Sequence, residues 1–95
     1  MQIVISGAGE VGSYLAGKLA SENHNIVLID SDPARCRSLG GQYDLQTVSG
    51  NGSSPQVLDE ANIKSADMFI AVTNHDEVNI VGSMVASRNG VPKII

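Results

Sequence analysis

Gln2-Ile3-Val4-Ile5-Ser6-Gly7-Ala8-Gly9-Glu10-Val11-Gly12 is the stretch on which the fold turns. Gln2–Ser6 is a compact aliphatic run closed by Gly7, the pattern of a strand buried on both faces of a parallel sheet. From Glu10 to about Asn23, apolar Val11, Leu15 and Leu19 recur at helical spacing, with small Gly12, Ala16 and Ala20 beside them. Between strand and helix stands a G-x-G-x-x-G. That spacing is a weak signal in a chain with ten glycines, but a strand before it and a helix after it give it meaning. Gly7 supplies a tight turn, Gly9 lets main chain approach a pyrophosphate, and Gly12 lets the helix press on the sheet. The amides from Ala8 and Gly9 into the helix offer donors and partial positive charge to phosphate.

Asn25–Asp30 reads as the second strand, and Asp30 closes it 18 residues after Gly12. A carboxylate at that place suits hydrogen bonds from adenosine ribose hydroxyls. It repels a 2′-phosphate, which favours NAD over NADP, while serving ATP, ADP or AMP equally well. Arg35 and Arg37 follow closely; one reading has them soften that exclusion, but they are expected to face solvent on the second helix. Glu10 suits the start of a helix by charge. Its side chain is expected to point away from the phosphates while its N–H serves them. The plainer alternative is that the glycines only make a turn and Asp30 caps the next helix.

Outward from this core the alternation continues. Asp32 before Pro33 is a cap followed by proline at the first helical position, opening a helix to about Leu39 that Gly40-Gly41 ends. Leu45–Ser49 is a third strand, followed by a turn at Gly50-Asn51-Gly52. Ser54-Pro55 starts a third helix, to about Ala61. Met68–Val72 is a fourth strand, and Asp76 to about Asn89 a fourth helix capped by Gly90. Lys93–Ile95 begins a fifth strand. This predicts an α/β fold, a Rossmann-type doubly wound parallel sheet of about five strands and four helices. The single domain over residues 1–95 is expected to be incomplete at its C-terminal end.

In such a sheet ligands gather beyond the carboxyl ends of the strands, at the point where strand order reverses. Strand one exits at Gly7 and strand four at Thr73, so these two loops are expected to face one another. Thr73 and Asn74 are candidates for ribose or phosphate contacts, with helix capping by Asn74 as the alternative. Gly50–Ser53 leaves the third strand on the same edge, over the adenine side or as a plain turn.

Composition narrows the classes. Hydrophobic residues make up 42% and charged residues 17%, a globular balance. With only three aromatic residues the core must be aliphatic. Six basic against ten acidic residues leave no basic footprint for nucleic acid. No apolar run reaches the roughly 20 residues that cross a bilayer, and no signal peptide is visible, so a soluble intracellular domain without membrane insertion is expected. Cys36 has no base beside it. His24 and His75 lack ligand partners at metal spacing, so neither a catalytic residue nor a metal site is expected. Val81 and Met84 read as core or interface.

The strings MQIVISGAGEVGSYLAGKLASENHNIVLID (residues 1–30) and QTVSGNGSSPQVLDEANIKSADMFIAVTNHDEVN (residues 46–79) resemble the potassium-transport nucleotide-binding domain. This is the KTN or RCK module of Trk-type potassium-uptake regulatory proteins and related channels. GAGEVG (7–12), GNGSSP (50–55) and AVTNHDE (71–77) are the most specific parts. The resemblance implies a nucleotide-sensing regulatory subunit that binds NAD or NADH, alternatively ATP or ADP. It further implies a homo-oligomer in full length that gates a membrane potassium transporter subunit. Such a subunit would be cytoplasmic and peripheral at the inner face of the cell membrane. By position, the cofactor-binding loop falls on Gly7, Ala8, Gly9, Glu10, Val11 and Gly12, the ribose acid on Asp30, and the fourth-strand contacts on Thr73 and Asn74. The family pattern continues past Ile95 with a further strand and helix, and a basic residue that helps hold phosphate. The competing reading is the cofactor half of an NAD-dependent dehydrogenase, which needs a substrate region and acid–base group not found in these residues. A purely structural oligomerisation module with a vestigial loop is a third.

Overall fold

A computed structural model describes all 95 residues, Met1–Ile95. Strands β1 (Gln2–Ser6), β2 (Asn25–Asp30), β3 (Gln46–Ser49), β4 (Met68–Ala71) and β5 (Lys93–Ile94) form one parallel sheet in the order β3-β2-β1-β4-β5. Helices α1 (Glu10–Ser21), α2 (Pro33–Gln42), α3 (Pro55–Glu60) and α4 (Asp76–Arg88) connect them, with a 3-10 turn at Ile63–Ser65. Strand order reverses between β1 and β4. In register, Ser6 lies opposite both Ile29 and Ala71, so β1, β2 and β4 end level with one another. That row of exits is where the Rossmann-type sheet places its ligands.

The strands are apolar in both directions because both faces are covered. Val4, Ile29 and Phe69 point to one side and pack with Leu58, Ala61 and Ala86. Ile3, Ile5, Ile26, Leu28 and Ile70 point to the other and pack with Ala16 and Leu39. Phe69 is the one aromatic residue among the fully buried side chains. Burial of these aliphatic groups at about 25 cal/mol per Å² supplies the main driving force for folding.

Both cap-plus-proline starts form. Asp32 Oδ1 accepts the Ala34 N–H at 2.9 Å and Ser54 Oγ accepts the Val57 N–H at 3.4 Å, each ahead of a proline. Gly90, at φ +85, follows the end of α4 in the left-handed conformation expected of a terminator.

Four local expectations are corrected. The Gly40-Gly41 pair does not end α2, which runs on to Gln42. Tyr43 ends it, its N–H bonding Leu39 O at 3.0 Å and its ring lying over Gly17 of α1. Packing between helices outweighs the weak helix propensity of two glycines. Second, α1 stops at Ser21, before Asn23, which adopts φ +68. Third, Asn74 does not cap α4, because His75 holds the cap position and makes no side-chain cap bond. Fourth, of the core-or-interface reading of Val81 and Met84, only the core half is corrected. With Ile80 they are exposed on α4. The 3-10 turn, entered through Asn62 at φ +61, had no sequence signal beyond that asparagine.

Candidate functional site

The exits of β1 and β4 meet main chain to main chain. Gly7 takes φ +115, and a Cβ there would lie 2.7 Å from the Val72 carbonyl oxygen and 2.8 Å from the Thr73 nitrogen. Val72 N–H donates to Ser6 O at 2.8 Å, and Gly7 N–H donates to Ile29 O at 2.8 Å, so β1, β2 and β4 are tied together just where they end. A Cβ on Gly12 would collide with the Gly7 carbonyl oxygen. The fold alone therefore accounts for Gly7 and Gly12.

Gly9 is different. Its φ of −72 and ψ of −161 suit any residue, and a Cβ built on it would meet nothing within 4 Å. The space beside it is a crevice of about 290 Å³. Gly7, Ala8 and Gly9 form one wall, Asp30, Asp32 and Arg35 a second, and Val72, Asn74 and His75 a third. An adjoining recess of about 200 Å³ shares Asp30, Ser31 and His75 and is lined by Gly50–Gly52 and Thr73. A larger cavity of about 530 Å³ lies at the opposite edge, against Gln2, Asn25 and Gln46. It is away from the glycine loop and at the wrong end of the strands for a Rossmann-type ligand.

Of the nine residues singled out in the sequence, Gly7, Ala8, Gly9, Asp30 and Asn74 line the main crevice and Thr73 the recess. Glu10 and Val11 line neither. Their side chains are exposed on the first turn of α1, which leaves only their amides to serve the site. Gly12 is buried beneath the loop.

Asp30 is the electrostatic centre. Its side chain is 11% exposed. Oδ1 accepts the Ala8 N–H at 2.9 Å and Oδ2 the Asp32 N–H at 3.0 Å. The Ala8 amide, expected at the phosphates, is therefore already committed. The open donors are the amides of Gly9, Glu10, Val11 and Gly12, since Ser13 is the first residue of α1 to bond back, to Gly9 O at 2.9 Å. Arg35 does not simply face solvent. Its guanidinium sits 4.0 Å from both Asp30 Oδ2 and Asp32 Oδ2 at the rim. A side-chain cation bridging two carboxylates could not be located from sequence spacing alone.

The β4 exit is pinned by Asn79, which sequence reasoning did not single out. Asn79 Oδ1 accepts the Thr73 N–H at 3.0 Å and the Thr73 hydroxyl at 2.6 Å, and Nδ2 donates to Thr73 O at 3.1 Å. The Thr73 hydroxyl also accepts the His75 N–H at 3.2 Å. Cys36 lies beneath Asp30, its Sγ 3.6 Å from the Asp30 carbonyl and 3.8 Å from that of Val48. Burial, reinforced by the Asp30 charge, pushes its thiol above the ordinary 9.0, which keeps it protonated and inert as a nucleophile.

A glycine loop, an acid at the second strand exit and an asparagine-pinned fourth exit thus surround one crevice. The TrkA-N domain model matches residues 3–95. The chain belongs to the TrkA-N domain family. This TrkA-N domain is 50% identical over 86 residues to the Trk system potassium uptake protein TrkA of Halomonas elongata, covering 90% of this chain and 19% of that protein. It thus spans about a fifth of the length of that relative. Among solved structures, the GsuK channel bound to NAD superposes at a TM-score of 0.77 and 23% identity, over 92% of this chain and 16% of that one. ChuY, an anaerobillin reductase from Escherichia coli O157:H7, superposes at 0.80 and 17% identity, over 99% and 48%. These two likenesses establish the fold of the TrkA-N domain and nothing finer. No helix in it is long and apolar enough to cross a membrane.

Proposed function

We propose that this TrkA-N domain is the nucleotide-sensing part of a potassium-uptake regulator. It binds NAD or NADH, with ATP or ADP as the alternative ligand, across the exits of β1, β2 and β4. The observation that carries the reading is Gly9: neither its backbone angles nor its packing asks for glycine, whereas a diphosphate drawn against main chain does. In this reading the diphosphate lies on the amides of Gly9 to Gly12 at the positive end of α1. The ribose hydroxyls donate to Asp30, whose two oxygens each retain a lone pair beside their main-chain bonds. Asn74 and Thr73 complete the far wall. Asp30 and Asp32 disfavour a 2′-phosphate, a repulsion that the Arg35 guanidinium, 4.0 Å from both, partly offsets.

The reading is of a sensor and not a catalyst, working peripherally in the cytoplasm as a homo-oligomer against a membrane potassium transporter subunit. The kinship with TrkA and the NAD carried by GsuK support it. Occupancy gates the partner only if the ligand binds the two arrangements of the β4 exit with different affinity. The ChuY likeness favours one other reading, the cofactor half of a reductase.

Calorimetric titration of the chain with NAD, NADH, ADP and ATP is the decisive test. Binding of one of these in the micromolar range, weakened at least tenfold in Asp30→Ala, supports the reading. If none binds, the reading fails. Potassium flux through a reconstituted partner, with and without the nucleotide that binds, then separates a gate from a reductase.

A further inference from the structure

Ala8 is held at both ends by side chains from other parts of the chain. Its N–H donates to Asp30 Oδ1 at 2.9 Å, and its carbonyl accepts the Ser13 hydroxyl at 2.8 Å. Ala8 is 4% exposed, so neither bond faces strong competition from water. Asp30 cannot swing freely, because the Asp32 N–H holds its other oxygen at 3.0 Å. Ser13, in turn, is fixed on α1 by its own N–H bond to Gly9 O. A carboxylate from β2 and a hydroxyl from α1 thus grip one loop residue from opposite sides, immediately before Gly9.

We infer that Asp30 and Ser13 are positioning residues that set the Ala8–Gly9 peptide, so that the open amides of Gly9 and Glu10 are aimed before any ligand arrives. Resting on the nucleotide reading above, this gives Asp30 a second task, on the diphosphate half of the ligand, where it makes no contact of its own. A loop held in its bound shape loses less freedom on binding, and the ligand is held correspondingly more tightly.

The sign of one effect separates this role from simple charge. A carboxylate near an anion site repels the anion, so on charge alone removing Asp30 strengthens the binding of inorganic pyrophosphate, which has no ribose. Positioning demands the opposite. The experiment measures pyrophosphate and NAD affinities by calorimetry for the parent chain, Asp30→Ala, Asp30→Asn and Ser13→Ala, with folding checked by circular dichroism. Asp30→Ala and Ser13→Ala are each expected to weaken pyrophosphate roughly three- to tenfold, as loss of a partly buried hydrogen bond implies. Asp30→Asn keeps one oxygen for the Ala8 N–H but sets its amide nitrogen against the Asp32 N–H, and is expected to recover part of the pyrophosphate affinity lost in Asp30→Ala. Its NAD affinity stays low, because the charge-assisted bonds from ribose are gone. Parent-like or tighter pyrophosphate binding by Asp30→Ala or by Ser13→Ala overturns the inference, as does an Asn variant no better than the Ala variant. A parent that binds neither ligand defeats the nucleotide reading itself, a different result from a parent that binds both with indifferent variants.

Discussion

Asn79 encloses Thr73, its side-chain amide bonding the threonine's N–H, hydroxyl and carbonyl at 3.0, 2.6 and 3.1 Å. The contact spans the β4–α4 connection and leaves Asn74 and His75 projecting over the crevice wall. A half-buried asparagine with both ends of its amide satisfied by one residue works as a brace. It fixes the exit loop to the first turn of α4.

Replacing Asn79 by Ala removes three hydrogen bonds at a partly buried site. The expected loss is about 1–3 kcal/mol of stability, taking roughly 1 kcal/mol per bond and some replacement by water. Nucleotide affinity is expected to fall by about tenfold, because Asn74 and Thr73 are no longer held in place. Thermal unfolding and calorimetry read the two effects separately.

The glycines divide by what demands them. Gly12→Ala drives a methyl group into the Gly7 carbonyl and is expected to cost about 3 kcal/mol or more, a large share of the stability of a chain this size. Gly9→Ala meets open space and is expected to cost no more than about 1 kcal/mol, the penalty of a poorer helix cap. Its nucleotide binding should nevertheless be lost. Denaturant titration beside ligand titration checks the contrast, and full affinity in Gly9→Ala would remove the main support for the site.

Cys36 makes a pH prediction. Its folded-state pKa lies above the ordinary 9.0, chiefly through burial and secondarily through the Asp30 charge. The unfolded chain therefore releases the thiol proton first. The thiol's contribution is complete below pH 9 and is lost as pH rises through and beyond that value. Stability measured at pH 8 and pH 10 should fall more in the parent than in Cys36→Ala. At pH 8 a thiol reagent should modify the folded chain at least about tenfold more slowly than the unfolded one.

Phe69, on β4, is wholly buried between the sheet and the α3–α4 layer. In a core with no other fully buried ring, Phe69→Ala is expected to cost about 3–5 kcal/mol. That is a large share of the stability of a chain this size, so its midpoint in urea should drop steeply while its m-value, if measurable, stays the same.

The residues alone were enough for the alternation of buried strands and helices, the parallel sheet and the kinship with the TrkA-N domain family. Those rest on local signals: aliphatic runs at Gln2–Ser6 and Asn25–Asp30, proline behind Asp32 and Ser54, and glycine spacing from Gly7 to Gly12. Such signals act over one or two turns of chain, and here packing overrode one of the same kind, the Gly40-Gly41 stop. Only the tertiary structure decided where α2 ends, because Tyr43 docks on Gly17 across two helices. It also decided that the Ala8 amide belongs to Asp30, that Arg35 leans over two carboxylates and that Asn79 braces Thr73. Each of those contacts depends on the directions in which side chains from level strand ends and adjoining helix turns meet, and residue spacing carries no information about direction.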